Sequence, residues 1–371
     1  MFPKLRFKEF DENWKEVTLK NCITSIDSGW SPQCESYPAN SSEWGVLKTT
    51  SVDWSGFNSS FNKKLPLELT PRKEIEVKPL DILVTRAGPT ERVGVVSVVP
   101  HSVRSKLMIS DKLIRLKSNE ENNPLFLGIS LSSVKCQNQL QSKTSGLAKS
   151  QTNISQKILG EVLLKLPSKE EQTKIASFLS AVDEKISQLT KKHELLSQYK
   201  QGMMQKLFSQ QIRFKADDGS EFGEWEGKEL HQIFQIKAGG DIEKSSVSEV
   251  RTSEFSYPIF ANSDKNKGFY GWANKFKYKE AVTVTGRGNL GIAVARNEPF
   301  YPIVRLLVLL PLVKQNLKFF EEQINLLDIV SESTGVPQLT APQLSKYKVN
   351  VPSLEEQTKI ANFLSSIDQK I

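Results

Sequence analysis

From Ile175 onward, apolar residues recur every seven positions. Ile175, Val182, Leu189, Leu196 and Met203 form one row, and Leu179, Ile186, His193, Lys200 and Leu207 form a second row four places later. Two rows at this spacing over four to five heptads predict a long helix with a coiled-coil seam. His193 and Lys200 mark where the seam weakens or where another protein takes over. The helix starts after Pro167 at Ser168-x-x-Glu171, the pattern of a capping box, in which the serine accepts from an orphan N–H and the glutamate reaches back. A run from Ser168 to about Phe208 would be about 60 Å long at 1.5 Å per residue. Elsewhere the period changes. Short β-branched runs (ILVTRAG, VGVVSVV and KLIRLK, then AVTVT, GIAVA and IVRLLVLL) are broken by Gly, Pro, Asn and Ser. These predict strands with long loops. PLFLGISLSSV and LKFFEEQINLLDIV predict one helix each.

The pattern occurs twice. LPSKEEQTKIASFLSAVDEKI (166–186) and VPSLEEQTKIANFLSSIDQKI (351–371) share an identical EEQTKIA, with Pro167 on Pro352, 185 residues later. Upstream, LRFKEF matches IRFKAD, with Phe7 on Phe214, and Trp14 resembles Trp225. VTRAG (84–88) falls on VTGRG (284–288), Gly94 on Gly291, and SGLAKSQ (145–151) on TGVPQLT (334–340). After the tryptophans the offsets shrink from 200 to 197, 189 and 185, as when a second copy has lost loop residues. A period this long marks a duplicated domain rather than a solenoid. The expected organisation is a globule at 1–165, a spacer helix at 166–211, a second globule at 212–350 and a second helix at 351–371. Each globule reads as α+β around a twisted, mostly antiparallel sheet. Ile360, Leu364, Ile367 and Ile371 repeat the register of the first helix. Two copies of one helix most simply pair with each other, antiparallel if the globules sit at opposite ends. The expected seam residues are Ile175, Leu179, Val182, Ile186, Leu189, Leu196, Met203 and Leu207 with Ile360, Leu364 and Ile367.

Composition narrows the function. The 371 residues carry a net charge of +8, which suits a polyanion such as nucleic acid. Cys22, Cys34 and Cys136 form no C-x-x-C, and His101, His193 and His231 are scattered, so neither a disulfide framework nor a metal site is expected. MFPKLRFKEF lacks the apolar core of a signal peptide, and Leu306–Val313 is too short to cross a bilayer, so the cytoplasm is expected and a membrane partner is not. Two related globules on a rigid spacer suit a ligand read at two points a fixed distance apart. Duplex DNA fits, because its half-sites separate by about 34–36 Å per helical turn.

The twin LP/VPS-x-EEQTKIA-x-FLS-x-[VI]D-x-KI blocks, the following QLTKKHELLSQYKQGMMQKLF and the F-x-x-F…W opening of each unit resemble the specificity subunits of type I restriction–modification enzymes. The resemblance covers essentially the whole chain. It implies two homologous target-recognition domains, each reading one half of a bipartite asymmetric DNA site. Long helices forming an antiparallel coiled coil would set the gap and dock two modification (methyltransferase) subunits. Restriction/translocase subunits would join through the complex. S-adenosylmethionine, ATP and Mg would belong to those partners, with no cofactor in this chain. One departure stands out. The second helix stops at Ile371, which matches Ile186, whereas the first runs on to Phe208 and the family pattern would extend both. Either the sequence is truncated there or the spacer is asymmetric.

Bases are read by Arg, Lys, Asn and Gln, and phosphates by any donor. Candidate DNA contacts in the first unit are Arg86 and Arg92 on TRAGPTERVG, and Lys143, Ser145, Lys149 and Gln151 on SKTSGLAKSQ. Those in the second are Arg287 and Asn289 on TGRGNLG, Gln338 on STGVPQLT, and Asn262, Lys265, Lys267, Tyr270 and Trp272, where basic residues alternate with aromatics. Loops at matched positions in both copies are favoured.

Enzyme readings lack their signatures. There is no [NDS]-P-P-[YFW], and no G-x-x-x-x-G-K-[ST]. Glu76-Val77-Lys78 precedes Asp81, the reverse of a nuclease order. Gly286, Gly288 and Gly291 do form G-x-G-x-x-G, but a dinucleotide loop opens a helix and has an acid about 20 residues on. Here IAVARNEPFYPIV follows, and TRAGPTERVG keeps only half the motif, so a hairpin turn is expected. A non-catalytic recognition and scaffold subunit is therefore expected. The alternatives are a standalone two-headed DNA-binding repressor and a nucleotide-dependent enzyme built on the glycine loop.

Overall fold

The computed structural model describes residues 5–148, 151–329 and 338–371. The chain divides into two compact units, Met1–Ile186 and Ser187–Ile371. The first unit contains β1 (Lys15–Thr18), β2 (Ile23–Ser28), β3 (Ile82–Thr85), β4 (Val96–Val98), β5 (Leu113–Ser118), α1 (Pro124–Leu131), α2 (Val134–Gln141) and β6 (Leu163–Leu166). Its main sheet has the order β2-β5-β3-β4 and is antiparallel throughout; β1 pairs with β6. All four residues of β3 are buried because both faces of the sheet are covered. Ile82 and Val84 join Phe126, Leu127 and Leu131 of α1, while Leu83 joins Leu107 and Ile109 on the other face.

α3 (Lys169–Phe208) begins in the first unit and ends in the second. The second unit then repeats the plan with β7 (Glu226–Glu229), β8 (Phe234–Ala238), β9 (Ala281–Val284), β10 (Ala293–Arg296), β11 (Leu307–Pro311), α4 (Leu317–Ile324), β12 (Lys348–Val351) and α5 (Leu354–Asp368). Its main sheet runs β8-β11-β9-β10, again all antiparallel, and β7 pairs with β12. The order matches the first sheet strand for strand. The duplication read from EEQTKIA is thus a duplication of fold. Among the described residues, parallel pairing is confined to two short strand pairs, Leu107–Met108 with Gly45–Val46 and Tyr301–Pro302 with Ile259–Phe260, and the single bridge Gly240–Ile303.

The helix expected over PLFLGISLSSV breaks in two. Ser132 Oγ bonds back to Gly128 O, and Ser133 caps α2 by accepting from Cys136 N. Hydroxyls that compete for backbone partners end a helix in this way. The capping boxes are also corrected. Ser168 Oγ accepts from Glu171 N and Ser353 Oγ from Glu356 N, both at 3.3 Å, so the serine halves stand. The glutamates do not reach back. Glu171 takes Arg6 on both oxygens at 2.7 Å and the Trp14 indole N–H at 3.4 Å; Glu356 takes Arg213 at 3.1 and 2.8 Å and the Trp225 indole N–H at 3.0 Å. Both carboxylates are fully buried, and a buried charge requires a counter-charge that a backbone N–H does not supply. In return, the Glu356 hydrogen bond holds the Arg213 guanidinium above its ordinary pKa.

The adjacent glutamine completes this lock. Gln172 accepts from Asn123 N at 3.0 Å and donates to Pro167 O and Asn122 Oδ1; Gln357 accepts from Asn316 N at 3.0 Å and donates to Pro352 O and Gln315 Oε1. Asn123 and Asn316 are the N-caps of α1 and α4. The Glu-Gln pair of EEQTKIA therefore ties each long helix to its globule's opening segment and to its short helix.

In the second unit the end of α3 runs antiparallel to α5. Lys200 Nζ meets Asp368 at 2.7 Å and Glu322 at 2.9 Å, while Phe208 packs edge-on against Trp225, whose indole binds Glu356 at the other end of α5. Leu207 shares one core with Ile360, Leu364 and Ile367, with Met204 and Phe208 packed against it. Lys200 at its seam position is thus held by two carboxylates. Met203 and Leu196 are half-buried; Val182, Ile186, Leu189 and His193 are exposed.

Candidate nucleic-acid interface

In each unit a loop joins the third and fourth strands of the main sheet order, and both loops are built alike. Thr85 Oγ1 accepts from Val95 N at 2.9 Å and Thr285 Oγ1 from Ile292 N at 3.0 Å. Gly94 N donates to Thr85 O and Gly291 N to Thr285 O, each at 2.9 Å. Gly94 and Gly291 have φ of +85° and +81°, a conformation that favours glycine. Gly286 serves close approach, since a Cβ there would lie 2.8 Å from the carbonyl oxygens of Arg305 and Leu339. The loop leads from β9 into β10, so the glycines make a hairpin. A strand follows where a dinucleotide fold needs a helix N-terminus.

In the second unit this hairpin gathers several predicted residues. Asn262 Oδ1 accepts from Gly286 N at 2.6 Å, and its Nδ2 donates to Arg287 O at 2.7 Å. Arg287 forms a β-bridge with Gln338, whose Oε1 accepts from Arg305 at 2.9 Å. Asn289 donates to Asp264, a bond that pulls the Asp264 carboxyl below its usual pKa and ties the hairpin to the Lys265–Gly268 turn. Arg296 anchors that turn by donating to Lys267 O from beneath. It is buried over the Phe260 ring at 3.5 Å and bonds Thr283 Oγ1, and desolvation lowers its pKa to about 10. Arg287, Asn289, Lys265, Lys267 and Tyr270 are exposed on this surface. Trp272 is half-buried between Phe269 and the Arg251 guanidinium, 4.9 Å from the ring. Both amide atoms of Asn262 hold backbone, so it shapes the hairpin instead of standing free on it.

In the first unit the hairpin meets the strand Gln151–Asn153, with Thr152 opposite Gly88 and Asn153 opposite Ala87. Arg86 is half-buried, its N–H on Lys112 O at 2.8 Å and its guanidinium 3.5 Å from Asp111 O. Arg92 turns inward, bound to Asp53 Oδ2 at 2.5 Å and Val52 O at 2.7 Å, so it braces the loop. Lys143 is exposed and 3.8 Å from Glu161. Lys149 and the side chains of Ser145 and Gln151 lie outside the described residues.

A feature missed by the sequence reading lies beside Arg86. A cleft of about 360 Å³ is lined by Lys48, Lys63, Lys112, Cys34, Ser110 and Thr49, among others. Its lysines come from strands and turns far apart in sequence, so no local pattern announces them. Ser110 Oγ is buried there with no hydrogen-bond partner. Burial also raises the Cys34 thiol pKa, against the pull of Lys63. Arg305 escaped in the same way, as a lone arginine at φ +64°.

The carboxylates weighed as nuclease ligands are tied to other groups. Asp81, whose pKa burial raises, accepts from Lys78 N and lies 3.6 Å from buried Arg115, while Glu76 accepts from Lys106 N. Among the described residues no group of three or more His, Cys, Asp or Glu could hold a metal ion, and no helix is long and apolar enough to cross a membrane.

Comparison with known proteins agrees with this architecture. The specificity subunit of the type I restriction enzyme EcoEI of Escherichia coli is 40% identical over 171 residues, 46% of this chain and 29% of that protein. A putative type I specificity subunit of Mycoplasma pneumoniae is 30% identical over 219 residues, 59% of this chain and 58% of the relative. The chain thus spans less than two thirds of either relative's length. The crystal structure of the S subunit of a type I restriction–modification system from M. genitalium shares the fold, with a TM-score of 0.70 at 19% identity over all of this chain and 93% of that one. The type I restriction modification DNA specificity domain matches residues 12–197 and again residues 223–371, one match on each repeat, and the chain belongs to that family.

Proposed function

We propose that the chain is the DNA-reading subunit of a type I restriction–modification complex. Each unit reads one half of a bipartite asymmetric site, the helical spacer sets the gap, and the helices dock two modification subunits. The observation that carries this reading is the matched pair of hairpins. Two units with the same strand order present, at the same topological position, loops of different sequence on a common frame. In the second unit Arg287, Asn289, Lys265 and Lys267 form one exposed basic and amide-bearing surface, suited to base edges and phosphates. In the first, Arg86 and the lysine cleft provide the phosphate-facing part. Methylation and cleavage belong to the partners, with their S-adenosylmethionine, ATP and Mg.

The test exchanges residues 212–350 for the corresponding domain of another specificity subunit and maps methylated bases genome-wide. One half of the methylated site should change, with the other half and the gap retained. Change in both halves, or no methylation once assembly with the modification subunits is verified, would overturn the reading.

A further inference from the structure

Beside the hairpin, a turn at the same place in each unit carries one cation. In the first unit the turn entering β5 is closed by Leu113 N on Ser110 O at 3.1 Å, and in the second the turn entering β11 is closed by Leu306 N on Ile303 O at 3.4 Å. Lys112 and Arg305 hold the same position in these turns, and both are exposed. The segment that crosses the hairpin carries an amide at a matched place too. Ile154 N donates to Arg86 O at 3.0 Å and Leu339 N to Gly286 O at 2.9 Å, which sets Asn153 opposite Ala87 and Gln338 opposite Arg287.

In the second unit the cation and the amide are joined. Arg305 Nη1 donates to Gln338 Oε1 at 2.9 Å. An arginine only donates, so the amide oxygen is the atom that faces it. The backbone under this pair is strained. Arg305 has φ +64°, where the Cβ of an L residue crowds the carbonyl and glycine would sit without strain. Among the described residues no carboxylate lies within ion-pair distance of the guanidinium. An exposed arginine in a strained conformation, aimed by an amide and neutralised by no acid, is unlike Arg92 or Arg296, whose bonds hold the fold.

We propose that Arg305, aimed by Gln338, reads a guanine in the half-site of the second unit. This inference rests on the DNA reading and names a specificity-determining residue within it. The guanidinium fork presents parallel N–H groups, and guanine presents N7 and O6 as paired acceptors in the major groove. A phosphate contact needs neither the fixed fork nor the strained backbone. Lys112, a point charge at the matched turn, suits the phosphate role given to its cleft. Gln338 is a positioning residue that acts through Arg305.

The test uses the full chain assembled with its modification subunits, acting on duplexes degenerate in both half-sites. Arg305→Gly removes the side chain and fits φ +64°, so its melting temperature should equal or exceed that of the wild type. It should lose at least about tenfold in preference for G·C at one position of one half-site and leave the other half-site unchanged. 7-Deazaguanine at that position, which lacks the N7 acceptor, should weaken binding of the wild type and leave Arg305→Gly unaffected. Arg305→Lys should not restore the preference. Gln338→Ala should relax the same position in part, with an unchanged salt dependence and melting temperature. Uniform weakening across all sequences with a shallower salt slope would overturn the proposal in favour of a phosphate contact. Full preference retained by Arg305→Gly or Arg305→Lys would overturn it as well, with the DNA reading left standing. A wild-type complex with no sequence preference at either half-site would overturn the DNA reading and this inference together.

Discussion

Glu356→Ala should destabilise the second unit by about 3 kcal/mol. Glu356 is 0% exposed and accepts three hydrogen bonds, two from Arg213 and one from the Trp225 indole. Removing one partner of a buried ion pair costs about 3–5 kcal/mol, because the other charge stays desolvated. The Arg213 side chain is 19% exposed, so water can reach part of the orphaned guanidinium, which places the loss at the lower end of that range. Glu356→Gln keeps the shape and an acceptor, and about 1–2 kcal/mol should go with the charge alone. The assay is urea unfolding of the full chain, followed by tryptophan emission and by hydrogen exchange of α5 amides, so that the second unit is read separately from the first. Arg213→Ala combined with Glu356→Ala should lose less than the sum of the two single losses, with a coupling of at least about 1 kcal/mol. A Glu356→Ala variant less than about 1 kcal/mol less stable than the wild type would refute the lock as an energetic element.

Further predictions concern the proposed DNA surface. Replacing Lys48, Lys63 and Lys112 together by Gln should lower the slope of log K against log salt by up to about 2.7, near 0.9 per phosphate contact, and weaken binding to all sequences alike; an unchanged slope would remove the cleft from the interface. Arg287→Ala should cost about 1–3 kcal/mol of discrimination at one half-site and leave the other unchanged, read by methylation of a library of degenerate sites. Asn262→Ala leaves Gly286 N and Arg287 O without their Asn262 partner, so the same half-site should weaken by about 1–3 kcal/mol through the loosened hairpin. Cys22 and Cys136 are 2% and 4% exposed, which leaves Cys34 as the thiol that maleimide modifies first. Bound duplex should slow that labelling, and labelling at the same rate with and without DNA would count against a cleft occupied by backbone phosphate.

What could be read from the residues alone followed from the range of each interaction. The heptads of α3, the β-branched strands and the glycine hairpin are set by neighbours a few positions apart, so their periods predict them. The duplication was legible because EEQTKIA is identical in both copies. Its meaning was not. Ser168-x-x-Glu171 reads locally as a capping box, but the partner that decides the glutamate is Arg6, 165 residues away. The candidate contacts divide on the same ground. Arg287 and Lys267 are exposed as expected, whereas Arg92 turns to Asp53 and Asn262 to the hairpin backbone, partners that loop composition does not encode. The cleft lysines at 48, 63 and 112 come together only through tertiary folding.

The division between shared and differing residues carries a functional consequence. Arg6, Trp14, Glu171, Gln172 and Asn123 recur as Arg213, Trp225, Glu356, Gln357 and Asn316 with the same bonds, so the junction of helix and globule is the same in both units. The hairpins keep what fixes their backbone, a threonine and two glycines (Gly88 and Gly94, Gly288 and Gly291), and differ at almost every side chain that faces outward. A mutation at Arg287 alters one exposed side chain, whereas one at Glu356 removes the anchor for Arg213 and Trp225 together. Change at the proposed reading surface is thereby uncoupled from the frame that holds it. Replacement of one globule would thus leave intact the Arg–Glu–Trp junction that holds the helix of the other.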